Sequence, residues 1–168
     1  MHVKSGHVVH SCNAHGVMGS GVAYAIKNTY PRAYEEYRQQ YDEFGLTLGV
    51  AYPAHMNDVS NDLIIWNAIT QDNFGPGVRQ TSYDAVQTCF QQINDAIKSG
   101  EIRYGPIDPD ELPGEYEVYD LLIPQEVHIP LIGAARGGGN WEIIREIIEQ
   151  TMDYPVTLWL PDDTVTTL

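Results

Sequence analysis

Two glycine-rich segments of the chain have the composition of loops that hold an anionic ligand. The first contains Gly16, Gly19 and Gly21, and the second spans residues 133–139. Glycine lets the backbone approach a ligand closely, and unpaired N–H groups at the start of a helix attract phosphate. A single loop of this kind is as often an ordinary tight connection. Because two of them occur, we expect a phosphate-bearing ligand held by backbone groups.

The spacing within these loops argues against two common nucleotide-binding motifs. The first loop contains GVMGSGVA, which differs from the dinucleotide-binding fingerprint G-x-G-x-x-G. Neither loop contains the G-K-[ST] sequence of a P-loop. The sequence therefore favours neither a Rossmann cofactor site nor a P-loop nucleotide site.

Histidines near the amino terminus suggest a metal site at first sight. His2, His7, His10 and His15 lie close together in sequence. On one strand, however, alternation sends His7 and His10 to opposite faces, and no carboxylate or cysteine completes a tetrahedral ligand set. We therefore expect no metal. Without further information, His10 is more often a core histidine that hydrogen-bonds to the backbone.

Cys12 and Asn13 close the strand-like run that begins with HVVHS. Nothing nearby would activate the Cys12 thiol, so we expect Cys12 and Cys89 to be reduced, unreactive cysteines. The amide of Asn13 must find hydrogen-bond donors and acceptors at the end of a buried strand. The ribose hydroxyls of a ligand would supply them, and so would an Asx turn within the loop.

Alternating strand and helix patterns position these residues. Predicted strands cover residues 7–12, 46–52, 63–70, 127–132 and 156–160, and predicted helices begin near residues 21, 31, 82 and 140. The helix from Tyr83 to Ile97 has apolar residues at three- and four-residue steps, with Ser82 or Thr81 as its cap. We predict a polar turn at residues 55–62 and an irregular segment at 105–124.

Strands that alternate with helices predict an α/β fold, with helices on both faces of a largely parallel sheet. The length suits one domain over residues 1–168. In such sheets a ligand binds beyond the carboxyl ends of the strands. Both glycine-rich loops follow predicted strands and lead into helices, so we expect them to meet at one crevice.

The net charge and the hydropathy of the chain limit which kinds of partner it can bind. The formal net charge of −14 would repel a nucleic-acid backbone, so we expect no duplex nucleic acid as a partner. No apolar run approaches the roughly twenty residues that cross a membrane, and the first ten residues lack the pattern of a secretory signal. We therefore expect a cytoplasmic protein that does not bind membranes. A small anionic ligand remains compatible with this charge.

Several segments together resemble a known family: VVHSCNAHGVMGSGVAYAIKNTYPRAYEEY, LIIWNAITQDNFG, the helix with Tyr83, and IPLIGAARGGGNWEIIREIIEQ. In this order they resemble the macro domain superfamily over nearly the whole chain. The sequence is most similar to the yeast-type ADP-ribose 1''-phosphate phosphatases and their phage and bacterial relatives. This resemblance implies a three-layer α/β/α sandwich with a mixed, largely parallel central sheet, and ADP-ribose across its crest.

The resemblance also implies roles for individual residues. Asn13 would contact the distal ribose, residues 19–22 would surround that ribose and its phosphate, and residues 133–138 would hold the diphosphate. The implied ligand-binding residues are Asn13, Gly19, Ser20, Gly21, Val22, Ile132, Gly133, Ala134, Ala135, Arg136, Gly137 and Gly138. The catalytic candidates are His10, Asn13 and Asp72, although Asp72 is also typical of a solvated turn residue.

Three features depart from the family pattern. Macro domains usually begin with an additional strand and a polar turn that holds adenine, and this chain starts almost directly at the following strand. Ala135 and Arg136 replace glycine and an apolar residue, so Arg136 can supply a charge for phosphates or point to solvent. Gln80 and Gly137 stand where another branch has a catalytic lysine and aspartate, which argues against that covalent mechanism.

The function favoured by the resemblance is hydrolysis of ADP-ribose 1''-phosphate without a metal or cofactor. A second possibility is an ADP-ribosyl hydrolase or O-acetyl-ADP-ribose deacetylase, which would share most binding residues. A third is a non-catalytic ADP-ribose reader. The sequence leaves the three open, because one fold supports all of them.

Overall fold

A six-stranded sheet forms the centre of the molecule. The computed structural model describes residues 3–58, 61–75, 78–103, 118–120, 124–161 and 164–168. The central strands, in spatial order, are β2 (Ala51–Asp58), β3 (Asn61–Gln71), β1 (Gly6–Asn13), β6 (Val127–Ile129), β7 (Val156–Trp159) and β8 (Val165–Thr167). A separate two-stranded sheet consists of β4 (Glu101–Arg103) and β5 (Val118–Asp120).

The central sheet is mixed. β1 lies between β3 and β6 and runs parallel to both, and β6 runs parallel to β7. The strands at the two edges, β2 and β8, run antiparallel to their neighbours. Antiparallel edge strands are common on sheets with a parallel centre. The predicted mixed, largely parallel sheet is confirmed.

Helices cover both faces of this sheet: α1 (Gly21–Thr29), α2 (Pro31–Phe44), α3 (Tyr83–Ser99) and α4 (Trp141–Thr151). On one face, Val8 of β1 belongs to a core cluster with Ile26 of α1 and Ala33 of α2. On the other face, Val9 joins a cluster with residues of α3 and α4, including Ile144. Because successive strand residues point to opposite faces, β1 contributes to both layers. The predicted three-layer α/β/α sandwich is confirmed.

Local hydrogen bonds fix the starts of the two helices on the second face. Ser82 Oγ accepts from Ala85 N at 3.2 Å at the start of α3. Asn140 Oδ1 accepts from Glu142 N at 2.9 Å at the start of α4. Side-chain caps of this kind satisfy N–H groups that have no partner within the helix. α3 ends at Gly100 with a left-handed φ of 73°, as its sequence predicts.

The region between α2 and β3 differs from the prediction. The predicted strand at residues 46–52 is wrong for most of its length, since β2 begins at Ala51. The predicted polar turn at residues 55–62 is also wrong, because β2 continues to Asp58 and β3 begins at Asn61. An antiparallel edge strand exposes part of its surface to water and so accepts polar residues. Polarity alone therefore does not mark a turn here.

Three short strands, β4, β5 and β8, have no counterpart in the sequence prediction. Each is three residues long, which is too short for a periodic pattern to be recognised. Within the predicted irregular segment at 105–124, residues 118–120 form β5. Residues 105–117 and 121–123 lie outside the described part of the chain.

The two cysteines of the chain lie in the core. Cys12 and Cys89 are buried and free, and burial raises the pKa of both thiols. Neither thiol is therefore activated for nucleophilic attack.

Among the helices within the described ranges, none is both long and apolar enough to span a bilayer.

β1 carries two histidines in the core. His7 Nδ1 accepts a hydrogen bond from Trp66 Nε1 at 3.1 Å, and His10 Nε2 lies 2.8 Å from Asn67 Oδ1. Burial, with a smaller contribution from His128, lowers the pKa of His7 to about 4. Burial also lowers the pKa of His10 to about 4, partly opposed by the hydrogen bond to Asn67. Both rings are therefore neutral at pH 7.

We expect the stability of the protein to fall as the pH drops from about 6.5 to about 4. In this range the unfolded chain binds protons at His7 and His10 that the folded chain does not bind, which favours unfolding. Each histidine should contribute roughly 3 kcal/mol at the low end. Urea unfolding of the wild type, His7→Gln and His10→Gln at several pH values measures this effect. The exposed-site variant His15→Gln is the control, and equal pH dependence in all four proteins would contradict the assignment.

Candidate functional site

A cleft of about 600 Å³ opens where β1, β3 and β6 end. Its walls come from the loop after β1 with the start of α1, the turn after β3, and the loop after β6. A volume in this range is typical of sites for small organic ligands. A depression at residues 79–84 is smaller, about 290 Å³. The predicted meeting of the two glycine-rich loops at one crevice agrees with this arrangement.

Many of the residues singled out from the sequence line this cleft. They are Asn13, Gly19, Ser20, Gly21, Val22, Ile132, Gly133, Ala135, Arg136 and Gly137. Ala134 and Gly138 belong to the same second loop but are not part of the lining. Neither His10 nor Asp72 is part of it. The structure thus brings the two loops together and leaves two of the three catalytic candidates outside the cleft wall.

Asn13 organises the first loop through its side chain. Asn13 Nδ2 donates to Val17 O at 2.6 Å, and Asn13 Oδ1 accepts from His15 N at 3.0 Å. The phenol of the buried Tyr37 on α2 donates to Asn13 O at 2.7 Å. Burial raises the pKa of Tyr37, so the phenol keeps its proton. The amide of Asn13 therefore forms an Asx-type turn that supports the loop from behind.

The start of α1 forms one wall of the cleft. Gly21, Val22 and Ala23 line it, and the first bond within the helix runs from Tyr24 N to Ser20 O at 3.3 Å. The N–H groups of the first turn have no partner within a helix. Ser20 makes no side-chain cap bond to them. This wall therefore presents backbone donors and the positive end of the helix dipole to a ligand.

The second loop is tied to the segment that precedes α3. Thr81 Oγ1 donates to Gly133 O at 2.9 Å, and Gln80 N and Thr81 N donate to Gly137 O at 2.9 and 3.1 Å. A Cβ atom on Gly137 would lie 2.6 Å from Gly133 O and 2.7 Å from Gln71 Nε2. Glycine at position 137 is therefore required by packing within the loop.

Polar and aromatic residues that the sequence analysis did not single out complete the cleft. Ser11 Oγ is hydrogen-bonded to Thr70 Oγ1 and accepts from Gln71 Nε2 at 3.0 Å. Ser11, Gln71 and Phe74 all line the cleft. Alternation along β1 could have identified Ser11 from the sequence, because it places Ser11 on the same face of the strand as Asn13 and opposite to His10. The contribution of Gln71 depends on the parallel pairing of β3 with β1, which the sequence does not encode in any simple pattern.

His10 lies in the core beneath α2. Its ring has 0% exposure, and Asn67 Oδ1 accepts from its Nε2. Asn67 Nδ2 in turn donates to Ala33 O at 3.1 Å. This chain of hydrogen bonds links β1 and β3 to α2. The ring is therefore in the core and outside the cleft lining, and its partner is a side chain rather than the backbone group considered from the sequence.

Asp72 lies in an exposed position directly after Gln71. Gln71, which precedes Asp72 in sequence, and Phe74, which follows it, both line the cleft. Asp72 is therefore at the rim. It is the one of the three catalytic candidates that is exposed to solvent.

The charge of the cleft wall is positive, although the protein as a whole is strongly acidic. Among the described residues that line the cleft, Arg136 is charged, and none is an aspartate, glutamate or histidine. Across the described ranges, no group of three or more histidine, cysteine, aspartate or glutamate residues is placed to hold a metal ion. A cleft with backbone donors and an arginine suits an anion.

Comparison with known proteins places this fold in a family. Residues 9–148 match the family model of the macro domain. A phage T4 protein described only as an uncharacterized 17.5 kDa protein in the tk-vs intergenic region is 27% identical over 143 residues, covering 84% of this chain and 77% of that protein. The ADP-ribose 1''-phosphate phosphatase of Saccharomyces cerevisiae is 24% identical over 155 residues, covering 85% of this chain and 82% of the yeast protein.

Two solved structures illustrate the similarity of fold. The macrodomain of Mycobacterium tuberculosis DarG aligns with a TM-score of 0.68 at 19% identity, covering 95% of this chain and 90% of that one. Thermosipho africanus DarTG in complex with ADP-ribose aligns with a TM-score of 0.65 at 17% identity, covering 96% of this chain and 39% of that longer one. At these identities the comparison shows the fold alone.

We expect Gly137→Ala to destabilise the protein, whereas Gly19→Ala should not. The added methyl group at position 137 would meet Gly133 O and Gln71 Nε2 at distances well below contact, and overpacking of this kind costs about 1 to 3 kcal/mol. At position 19 the nearest atom to a new Cβ is Val17 Cγ1 at 3.6 Å, an ordinary contact. Urea unfolding of both variants measures the difference. Equal stability would contradict the described packing of the second loop.

Proposed function

This chain belongs to the macro domain family, and we propose that its cleft binds ADP-ribose and hydrolyses ADP-ribose 1''-phosphate to ADP-ribose and phosphate. The observation that carries the proposal is the convergence of two glycine-rich loops on one cleft of about 600 Å³. Two comparisons support the choice of ligand. A yeast relative is named for this phosphatase activity, and a protein of similar fold was solved in complex with ADP-ribose.

The two loops suit different parts of the ligand. Residues 19–22 include the start of α1, whose N–H groups would hold the distal ribose and a phosphate attached to it. Residues 133–137 would hold the diphosphate through backbone N–H groups. Asn13 supports the first loop from behind through its bonds to Val17 and His15, so it enters the proposal as a positioning residue. In this arrangement the ligand is bound mainly by backbone, which agrees with the glycine content of both loops.

Hydrolysis requires a group that directs water at the phosphate. A water oxygen forms a bond to phosphorus while the water gives a proton to the base. The bond from phosphorus to the ribose oxygen breaks, and the ribose oxygen takes up a proton from solvent. Asp72 at the rim is the proposed base, because it follows Gln71 in the cleft wall and is exposed to water. His10 enters the proposal as a structural residue of the core, since its hydrogen bond to Asn67 stabilises the strand that ends at Asn13.

A non-catalytic reader of ADP-ribose is the second candidate. The observation that favours it is the absence of an acidic or imidazole side chain among the described residues of the cleft lining. Such a cleft can bind an anion without activating water. A mechanism through a lysine and an aspartate is not proposed, because Gln80 and Gly137 provide neither group.

We expect ADP-ribose to raise the melting temperature of the protein, since a ligand that binds only the folded state stabilises it by mass action. AMP should have a smaller effect, because it lacks the distal ribose and the second phosphate. Gly19→Glu should fold normally, since a Cβ at position 19 makes only an ordinary contact with Val17. It should bind ADP-ribose much more weakly, because it adds a negative charge at the loop. Calorimetry without a binding signal at millimolar ADP-ribose would overturn the proposed ligand.

We expect Asp72→Asn and His10→Ala to have different effects. Loss of a general base typically reduces turnover by about a hundredfold or more, so Asp72→Asn should lose activity while its stability and ADP-ribose affinity change little. His10→Ala should lose about 1 to 3 kcal/mol of stability, because it removes the hydrogen bond from His10 to Asn67 Oδ1. Its activity per folded molecule should remain.

The measurement is phosphate release from ADP-ribose 1''-phosphate in a buffer that contains EDTA, corrected for the folded fraction. Activity that disappears with EDTA would contradict the metal-free mechanism. Full activity of Asp72→Asn would remove Asp72 from the mechanism, and a fully folded but inactive His10→Ala would restore His10 as a catalytic residue. Binding without turnover in the wild type would favour the reader.

A further inference from the structure

We propose that Arg136 selects ligands that carry a phosphate monoester on the distal ribose, and that it holds this group against the first turn of α1. The inference rests on the proposed function, because it assumes that the cleft binds ADP-ribose. It goes beyond that function because it assigns to the Arg136 side chain the discrimination between ADP-ribose and ADP-ribose 1''-phosphate.

The direction of the Arg136 side chain is the first observation. Arg136 belongs to the second loop, after β6, yet its carbon stem reaches the first loop. A Cβ atom built on Gly21 would lie 3.5 Å from Arg136 Cδ and 3.7 Å from Arg136 Nε. Both residues line the cleft. The side chain therefore crosses from one loop to the other and brings its guanidinium beside the start of α1.

The second observation is that Arg136 has no partner in the part of the chain that the structure describes. Its side chain is exposed, and it makes no hydrogen bond or ion pair with any residue in the described ranges. Most other cations are engaged: Arg32, Arg38, Lys98 and Arg145 pair with carboxylates, and Lys27 and Arg79 lie over tyrosine rings. In a chain with a net charge of −14, an arginine without a carboxylate partner among the described residues is available for an anionic ligand.

The chemistry of the two groups at this place fits a phosphate monoester. A guanidinium offers a planar fork of donors that matches two phosphate oxygens. The N–H groups of Gly21 and Val22 lie in the first turn of α1, at the positive end of the helix. A dianionic group at this place would be within reach of both the guanidinium and these N–H groups. The remaining part of the second loop is left for the diphosphate, so the two phosphate-bearing parts of the ligand do not compete for Arg136.

The test compares two ligands on three variants. The ligands are ADP-ribose and an unhydrolysable phosphonate analogue of ADP-ribose 1''-phosphate. The variants are Arg136→Ala, Arg136→Lys and, as a control, Arg145→Ala, which removes the same charge from the exposed ion pair with Glu149 on α4. Dissociation constants are measured by calorimetry at two salt concentrations, and urea unfolding checks that each variant is folded.

For Arg136→Ala we expect the affinity for the phosphonate to fall about tenfold to a hundredfold, as for loss of a charge-assisted bidentate contact. The affinity for ADP-ribose should change less than about threefold. Arg136→Lys should recover part of the loss, because lysine keeps the charge without the fork. Arg145→Ala should match the wild type with both ligands. The phosphonate affinity of the wild type should also depend more strongly on salt than that of Arg136→Ala.

Two results would overturn the assignment of Arg136. An equal loss of affinity for both ligands would place the side chain at the diphosphate, and no loss for either would place it in solvent. Failure of the wild type to bind ADP-ribose at all would instead reject the proposed function. The two kinds of failure are therefore distinguishable from one set of titrations.

Discussion

The contact between Thr81 and the second glycine-rich loop shapes the cleft. The hydroxyl of Thr81 donates to Gly133 O, and the backbone N–H groups of Gln80 and Thr81 donate to Gly137 O. A single short segment before α3 therefore holds the loop near both of its ends. The loop can lie this close because position 137 has no side chain. These contacts fix the position of the loop that carries Arg136. They therefore also fix the distance between this loop and the start of α1, which the Arg136 side chain spans.

The first loop is held by the opposite helical layer. Tyr37 of α2 donates to Asn13 O, and the amide of Asn13 bonds to residues within its own loop. The two loops are thus anchored to α2 and to the start of α3, on opposite faces of the sheet. The parallel pairing of β1 with β6 sets the spacing between them. The backbone donors of the cleft are therefore in position before a ligand arrives, which reduces the cost of ordering them on binding.

The sequence predicted the parts of the fold that depend on local pattern. Glycine after an apolar run located both loops, and apolar periodicity located α3 and α4. The assignment failed at β2, where an edge strand carries polar residues such as His55 and Asp58. Strand alternation could have placed Ser11 on the cleft side of β1. The places of Gln71 and Phe74 depend on the register between β1 and β3, and register between distant strands is a property of the folded sheet that local patterns do not contain.

The segment His10-Ser11-Cys12-Asn13 shows why a motif does not assign chemistry by itself. Alternation divides it: His10 and Cys12 point into the core beneath α2, whereas Ser11 and Asn13 reach the cleft. The cleft therefore receives hydrogen-bonding groups from this strand and no group that titrates near neutral pH. Such a wall stabilises the negative charge of a phosphate whether or not a reaction follows. Under the proposed function, the difference between an enzyme and a reader depends on groups at the rim, where Asp72 follows the cleft residue Gln71 and is a carboxylate of the described residues.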